Sequence, residues 1–214
     1  MLTRKVLQGV LACFLVAAML AGCGGDQGGP EEPSSPEKGE GGSEDFPAKD
    51  PAQPFAIGEK GTVTLANDQT YEIQVQRGSG EPLFLFSIKK SGVIDPQVTF
   101  TVQTIQVDMP EELAASYVPL EQVAFEMHVV GESGYGFALR PKIQFFFGPE
   151  IAAAKEKGAA LEPLKGNLIV LYKEQRAPKW VPQTSVSVDE AGKVVTLSNV
   201  AGSGAWWLVA KKGE

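Results

Sequence analysis

Few residues of this 214-residue chain combine the types and spacings that chemistry requires. Its one histidine, His128, stands two residues after Glu126, and the only thiols are Cys13 and Cys23. A single histidine cannot build a His-based zinc site, and any Ser-His-Asp triad would depend on His128 alone. Flanked by alternating apolar positions, His128 reads as a solvated or edge residue of a strand. The nearest nucleophile-like string is Gly131-Glu132-Ser133-Gly134-Tyr135-Gly136. A nucleophile elbow needs Gly-x-Ser-x-Gly between a strand and a helix, but position 135 is Tyr and the next element alternates as a strand. The string therefore reads as a flexible turn, and it fails as a dinucleotide fingerprint because no helix follows it. Neither a phosphate-binding loop nor an Asp-x-Asp-x-Asp-Gly calcium loop occurs. No catalytic residue, metal site or cofactor is expected.

Carboxylates are scattered along the chain. Asp95 precedes Pro96, Asp189-Glu190 occupies a turn, and Glu111-Glu112 opens a short helix, where the dipole favours acids. Two of them could meet in space to hydrolyse a sugar, yet no pair stands out. Aromatic side chains give the one positive hint of binding. Trp206 and Trp207 adjoin on a strand, so their rings point to opposite faces and one is exposed unless both faces are covered. Tyr117, Tyr135 and Trp180 fall in or beside loops, where a ring can stack on a sugar or anchor a protein partner. Trp180, Trp206 and Tyr135 are the candidate ligand-binding residues.

The elements that must position these residues are strands, because period-two alternation dominates from about Phe55 to Glu214. Val63 and Leu65, an Asn67-Asp68 turn, then Tyr71, Ile73 and Val75 predict a hairpin. Leu83 to Lys89 predicts a buried strand. From Gln97 to Val107 the apolar phase shifts between Val102 and Ile105, which predicts a bulge near Gln103-Thr104. Val123, Phe125, Met127 and Val129 share one face, leaving Gln122, Glu126 and His128 on a wet one. Further strands are expected at 142–147, 167–173, 184–188, 193–198 and 205–210. Phe146 lies between the inward Phe145 and Phe147, and needs cover from a helix or another chain. Two short helices are expected: 110–116, with Asp108 as a possible cap, and 149–157, with Glu150 in front and Gly158 just beyond. About ten short strands at this spacing argue for an antiparallel two-sheet β-sandwich of the immunoglobulin-like kind.

The segment before this domain has a different character. Arg4 and Lys5, an apolar run from Val10 to Leu20 and small residues after it form the three-part layout of an export signal. The run is shorter than the ~20 residues that span a bilayer core. Its end, Leu20-Ala21-Gly22-Cys23, resembles the lipobox of bacterial lipoproteins. The resemblance implies cleavage after residue 22, a diacylglyceryl group and commonly an acyl chain such as palmitate on the new terminus, and location in the cell envelope on the extracytoplasmic side. Two or three chains at ~0.8 kcal/mol per buried CH₂ make such a tether effectively permanent. Cys13 would leave with the signal, so Cys23 would be the only cysteine kept and no internal disulfide could form.

Residues 23–54 are expected to form a disordered spacer, since they hold Gly, Pro, Glu, Ser and Asp with almost no large apolar residue except Phe46. Eight acids (Asp26, Glu31, Glu32, Glu37, Glu40, Glu44, Asp45 and Asp50) face Lys38 and Lys49 there. The precursor's formal charge of -7 becomes -9 without Arg4 and Lys5, and six of those negative charges sit in the spacer. The remaining -3 on residues 55–214 leaves no electrostatic footprint for nucleic acid.

Within the domain, Leu168 to Tyr172, Lys179-Trp180-Val181, the Asp189-Glu190-Ala191-Gly192 turn and Trp207-Leu208-Val209 resemble the end of sandwich domains found in ankyrins, netrin receptors and bacterial surface proteins. Those are structural or interaction modules, so the resemblance implies no catalytic residue. The sequence thus points to a lipid-anchored, non-catalytic envelope protein, bound to the membrane through Cys23, whose sandwich meets an envelope protein or a glycan. A carbohydrate- or small-molecule-binding lipoprotein is the alternative, and a hydrolase the next.

Overall fold

A computed structural model describes residues 46–90, 92–130, 140–175, 177–200 and 203–213. All of them belong to one compact unit, Ser43–Glu214. Cys23, Ser133 and Tyr135 lie outside the described residues. Among the described residues no helix is long and apolar enough to cross a membrane.

The alternating segments form strands β1 (Phe55–Ala56), β2 (Lys60–Ala66), β3 (Tyr71–Gln76), β4 (Pro82–Ile88), β5 (Gln97–Gln106), β6 (Tyr117–Pro119) and β7 (Val123–Val129). They continue as β8 (Lys142–Phe146), β9 (Leu168–Lys173), β10 (Val181–Pro182), β11 (Val186–Asp189), β12 (Val194–Ser198) and β13 (Gly204–Lys211). Helix α1 (Glu111–Ala114) precedes β6, and α2 (Glu150–Glu156) follows β8. Sheet A has the order β10-β9-β13-β7-β5-β2, with β6 also paired to β13. Sheet B has the order β1-β3-β4-β8-β12-β11. The pairings are antiparallel except that of β1 with β3. The protein is a mainly β, two-sheet sandwich with two short helices, as the spacing of its strands predicts.

Between the sheets, inward residues make one core that includes Phe84, Phe86, Phe100, Phe125, Phe145 and Trp206. Phe84 meets Phe145 edge-on at 5.5 Å within sheet B, Trp206 lies 6.1 Å from Phe125 within sheet A, and Phe84 lies 5.9 Å from Phe125 across the interface, so rings from both sheets interlock. Each such ring buries enough apolar surface to contribute roughly 2–3 kcal/mol.

Four expectations are corrected. The predicted hairpin is a corner: β2 pairs with β5 in sheet A, while β3 pairs with β4 in sheet B. At the corner Ala66 N–H donates to the Tyr71 hydroxyl at 2.7 Å, and Asn67 N–H to the Pro96 carbonyl at 3.2 Å. These bonds satisfy amides that a hairpin ladder would otherwise have used. No bulge interrupts β5, whose register with β7 is continuous from Phe100↔Val129 to Gln106↔Val123. The apolar phase changes because the burial pattern does: Thr104 points inward and accepts the Gly58 N–H at 2.7 Å, while Ile105 packs on the other face. Asp108 does not cap α1; Pro110 takes that place with no side-chain bond.

The folded unit also begins earlier than Phe55. Ala48 bridges to Thr62, Lys49 pairs with Glu59, and the Lys49 ammonium lies 4.3 Å from the Phe55 ring centre. The second helix agrees with its reading, with Gly158 at φ 85° just beyond it.

Candidate functional site

Three groups of residues could do chemistry, and the fold decides what each is free to do. The first was not singled out in the sequence. Arg77 follows β3, Glu121 precedes β7 and Glu150 opens α2, so the chain brings them to one end of the sandwich, between the sheets. Arg77 Nε donates to Glu121 Oε1 at 3.0 Å, and Nη2 stands 2.7 Å from Glu150 Oε1. The remaining guanidinium donors hold the Pro82 carbonyl at 2.6 Å and the Phe146 carbonyl at 2.8 Å. Glu150 also accepts the Gly148 N–H at 2.8 Å, and the Glu121 carbonyl accepts the Trp207 indole N–H at 2.6 Å.

The side chains of Arg77, Glu121 and Glu150 are only 14%, 21% and 11% exposed. Burial, reinforced by the hydrogen bond to Glu150, pushes the Glu121 carboxyl up to about 7 against the pull of Arg77. Burial would raise Glu150 too, but the bonds it accepts from Glu121 and the backbone, together with Arg77, bring it below the ordinary carboxylate range. Below about pH 7 a proton is therefore held on Glu121, beside the ionised Glu150.

Pairs of carboxyls with opposed shifts are a pattern of acid–base catalysis. Here both carboxyls lie on one nitrogen, Arg77 Nη2, at 2.9 and 2.7 Å, so the guanidinium fills the space between them, whereas glycosidase carboxyls stand ~5–10 Å apart to admit substrate or water. The cavity beside them, of about 10 Å³, has room for a single water. The arrangement acts as a polar clasp between the sheets.

The second group surrounds His128. Its strand, β7, is central in sheet A between β13 and β5, and its side chain is 13% exposed, so the solvated or edge reading is corrected. His128 Nε2 meets Glu126 Oε1 at 2.9 Å, while Gln103 donates to the other carboxylate oxygen. Burial works against the Glu126 charge, but hydrogen bonds from His128 and Gln103 and the nearby Lys173 hold it below its usual range. His128 Nδ1 is buried without a partner among the described residues. Among the described residues no group of three or more His, Cys, Asp or Glu side chains could hold a metal ion.

The aromatic candidates come third. Trp206, proposed from sequence as a ligand-binding residue, is 1% exposed and packs against Phe125 and Tyr172 in the core. It is unavailable to a ligand because sheet B covers its face of sheet A. Trp207 is equally buried on the opposite face, where Val107, Ala124, Leu171 and Val209 form a small second core with Ile105, Leu113 and Tyr117 packed on it. Trp180 is half-buried and stands 5.7 Å from Trp207 at 55°, as part of this lid.

What remains open is the outer face of sheet B. Register places Gln74, Leu85, Gln144, Thr196 and Ser187 side by side across five strands. None of these residues is buried. The adjacent row, Glu72, Ser87, Lys142 and Ser198, leads into a surface concavity of about 480 Å³. Its wall carries three cations (Lys89, Arg140, Lys142), one acid (Glu72) and the hydroxyls of Thr70 and Ser87. Sequence reading missed this site because its residues come from three separate strand ends and form no local pattern.

No family model matches the chain, and neither a curated protein nor a solved structure is significantly similar to it.

Proposed function

We propose that this chain is a lipid-anchored, non-catalytic cell-envelope protein whose β-sandwich serves as an interaction module. The observation that carries the reading is the contrast between the carboxyl pair, held by Arg77 and, at Glu150, by the Gly148 N–H, and the polar face of sheet B. The Leu20-Ala21-Gly22-Cys23 string supplies the anchor, and the acidic Gly- and Pro-rich stretch between it and the folded unit supplies the spacer. The partner is an envelope protein or a glycan. The glycan reading is favoured by the 480 Å³ concavity, a volume within the ordinary range for small-ligand sites.

The anchor is tested by metabolic labelling with a fatty-acid analogue. Wild type should carry the label and sediment with membranes; Cys23→Ser should lose both while its domain remains folded by circular dichroism. Label on Cys23→Ser would refute the anchor. The non-catalytic reading fails if the purified chain turns over a glycan, peptide or ester and that turnover disappears in Glu121→Gln or Glu150→Gln.

A further inference from the structure

The concavity on sheet B has a charge that the rest of the domain does not predict. Residues 55–214 carry a formal charge of -3, yet Lys89, Arg140 and Lys142 converge here against Glu72 alone. All three cations are exposed, and none takes part in an ion pair among the described residues. Three unpaired cations against one acid leave two positive charges in a pocket of about 480 Å³. A fourth, Lys90, adjoins the site through its backbone N–H, which donates to the Thr70 hydroxyl at 3.0 Å.

From this arrangement we infer that the concavity binds a phosphorylated glycan, with the phosphate monoester on the cations and the sugar on the hydroxyls. A phosphate monoester carries about -1.5 to -2 at neutral pH, which balances the local charge; a carboxylate supplies half of that. Arg140 offers a planar fork of donors for two phosphate oxygens, while Lys89 and Lys142 act as point charges beside it. Ser87 and Thr70 can bond sugar hydroxyls, and Glu72 can accept from one.

Position separates a glycan from a lipid headgroup. The chain enters the unit at Pro47 and Lys49, which bond to Thr62 near the start of β2. The concavity is built from the start of β3, the end of β4 and the start of β8, beyond the far end of β2. Four residue steps of strand, Thr62 to Ala66, separate the two, roughly 13 Å. The pocket is thus at the end away from the tether, and this part of the argument rests on the anchored reading proposed above.

Binding is tested with the full acylated chain in detergent, against phosphorylated dextran oligosaccharide, carboxymethyl dextran and plain dextran of one length, with competition from anionic phospholipid vesicles. The phosphorylated form should bind, weaken as salt rises, and lose at least tenfold in affinity in Lys89→Ala/Arg140→Ala/Lys142→Ala. Plain dextran should not bind, and carboxymethyl dextran should bind several-fold more weakly. Substituting exposed side chains should leave the melting temperature within a few degrees, which confirms that the variant is folded. Equal binding by wild type and variant, preference for the carboxylate polymer, or full displacement by the vesicles would overturn the proposal. Fatty-acid label on Cys23, measured on the same preparation, tests the anchor separately from the pocket.

Discussion

The two sheets of this sandwich share a core but present opposite outer faces. On sheet A, strand β13 is buried from Gly204 to Ala210, because Trp207 and Val209 on the outward side have a lid of their own. The lid comes from the segment around α1 and β6 and from Trp180. On sheet B the outward positions are mostly amides, hydroxyls and charges, with Leu85, Phe146 and Val194 among them, and none of these three is buried. Stability governs the residues of the first face, and solvent those of the second. A sheet face that carries Trp, Val and Leu must be covered to avoid exposing a large apolar patch. A face of Gln, Ser and Thr can stay in water.

Removing the lid's keystone is the strongest way to break the comparison. Trp207→Ala should cost about 3–5 kcal/mol, the range for an aromatic deleted from a core, and would also free the Glu121 carbonyl from its indole donor. Chemical denaturation of the pure domain measures this. A loss below about 1 kcal/mol would mean that the outer face of sheet A is not a second core. Arg77→Met should come close behind at about 3–5 kcal/mol, since it leaves two carboxyls and two backbone carbonyls buried without their donor. That loss should shrink in acid, where both carboxyls can be neutral.

Glu121 sharpens the picture through pH. Its folded carboxyl, at about 7, binds a proton more tightly than the ordinary group near 4.5. The stability this adds is complete below about pH 4.5 and is lost as pH rises through 7. Glu150, held below the usual range, contributes in the opposite sense, above 4.5, and loses its share only as pH falls below that. Glu121→Gln keeps a neutral donor beside Glu150 while removing the titration. Between roughly pH 5 and pH 8 the variant's stability should therefore change less than the wild type's, leaving it ahead at the alkaline end by on the order of 1–2 kcal/mol. Parallel stability curves for the two proteins would show that the proton is not held on Glu121.

Alternation along the chain carried the fold class and most of the strands, because burial on one face leaves a period of two whatever the partner strand. It did not carry the partner. The alternation of Val63 and Leu65 with that of Tyr71, Ile73 and Val75 suits a hairpin and a corner equally, and the bond from Ala66 to the Tyr71 hydroxyl that marks the corner has no sequence signature. The two-residue strands β1 and β10 are too short to alternate at all. A sheet covered on both sides also misleads: Ile105 reads as a slipped phase, and one of Trp206 and Trp207 reads as exposed unless both faces are covered, when Trp206 packs into the core between the sheets and Trp207 and Ile105 into the second one. The polar clasp was illegible for another reason. Arg77 and Glu121 are 44 residues apart, and Arg77 and Phe146 are 69 apart, so only the folded topology unites them.

The smallest expected effect tests the other side of the comparison. Gln144 stands mid-row on sheet B, between Leu85 and Thr196, with its side chain outward. Gln144→Ala and Thr196→Ala should each stay within about 0.5 kcal/mol of wild type, as substitutions on an uncovered surface do. Their near-neutrality is informative because the same strands carry Ile143, Phe145, Val195 and Leu197 on the inward side, where truncation would cost several times more. A residue that stabilises nothing in the folded chain but lies beside a charged concavity is free to vary with what that concavity meets. If Gln144→Ala instead cost more than about 1 kcal/mol, the outer face of sheet B would be serving the fold, and the contrast between the two faces would collapse.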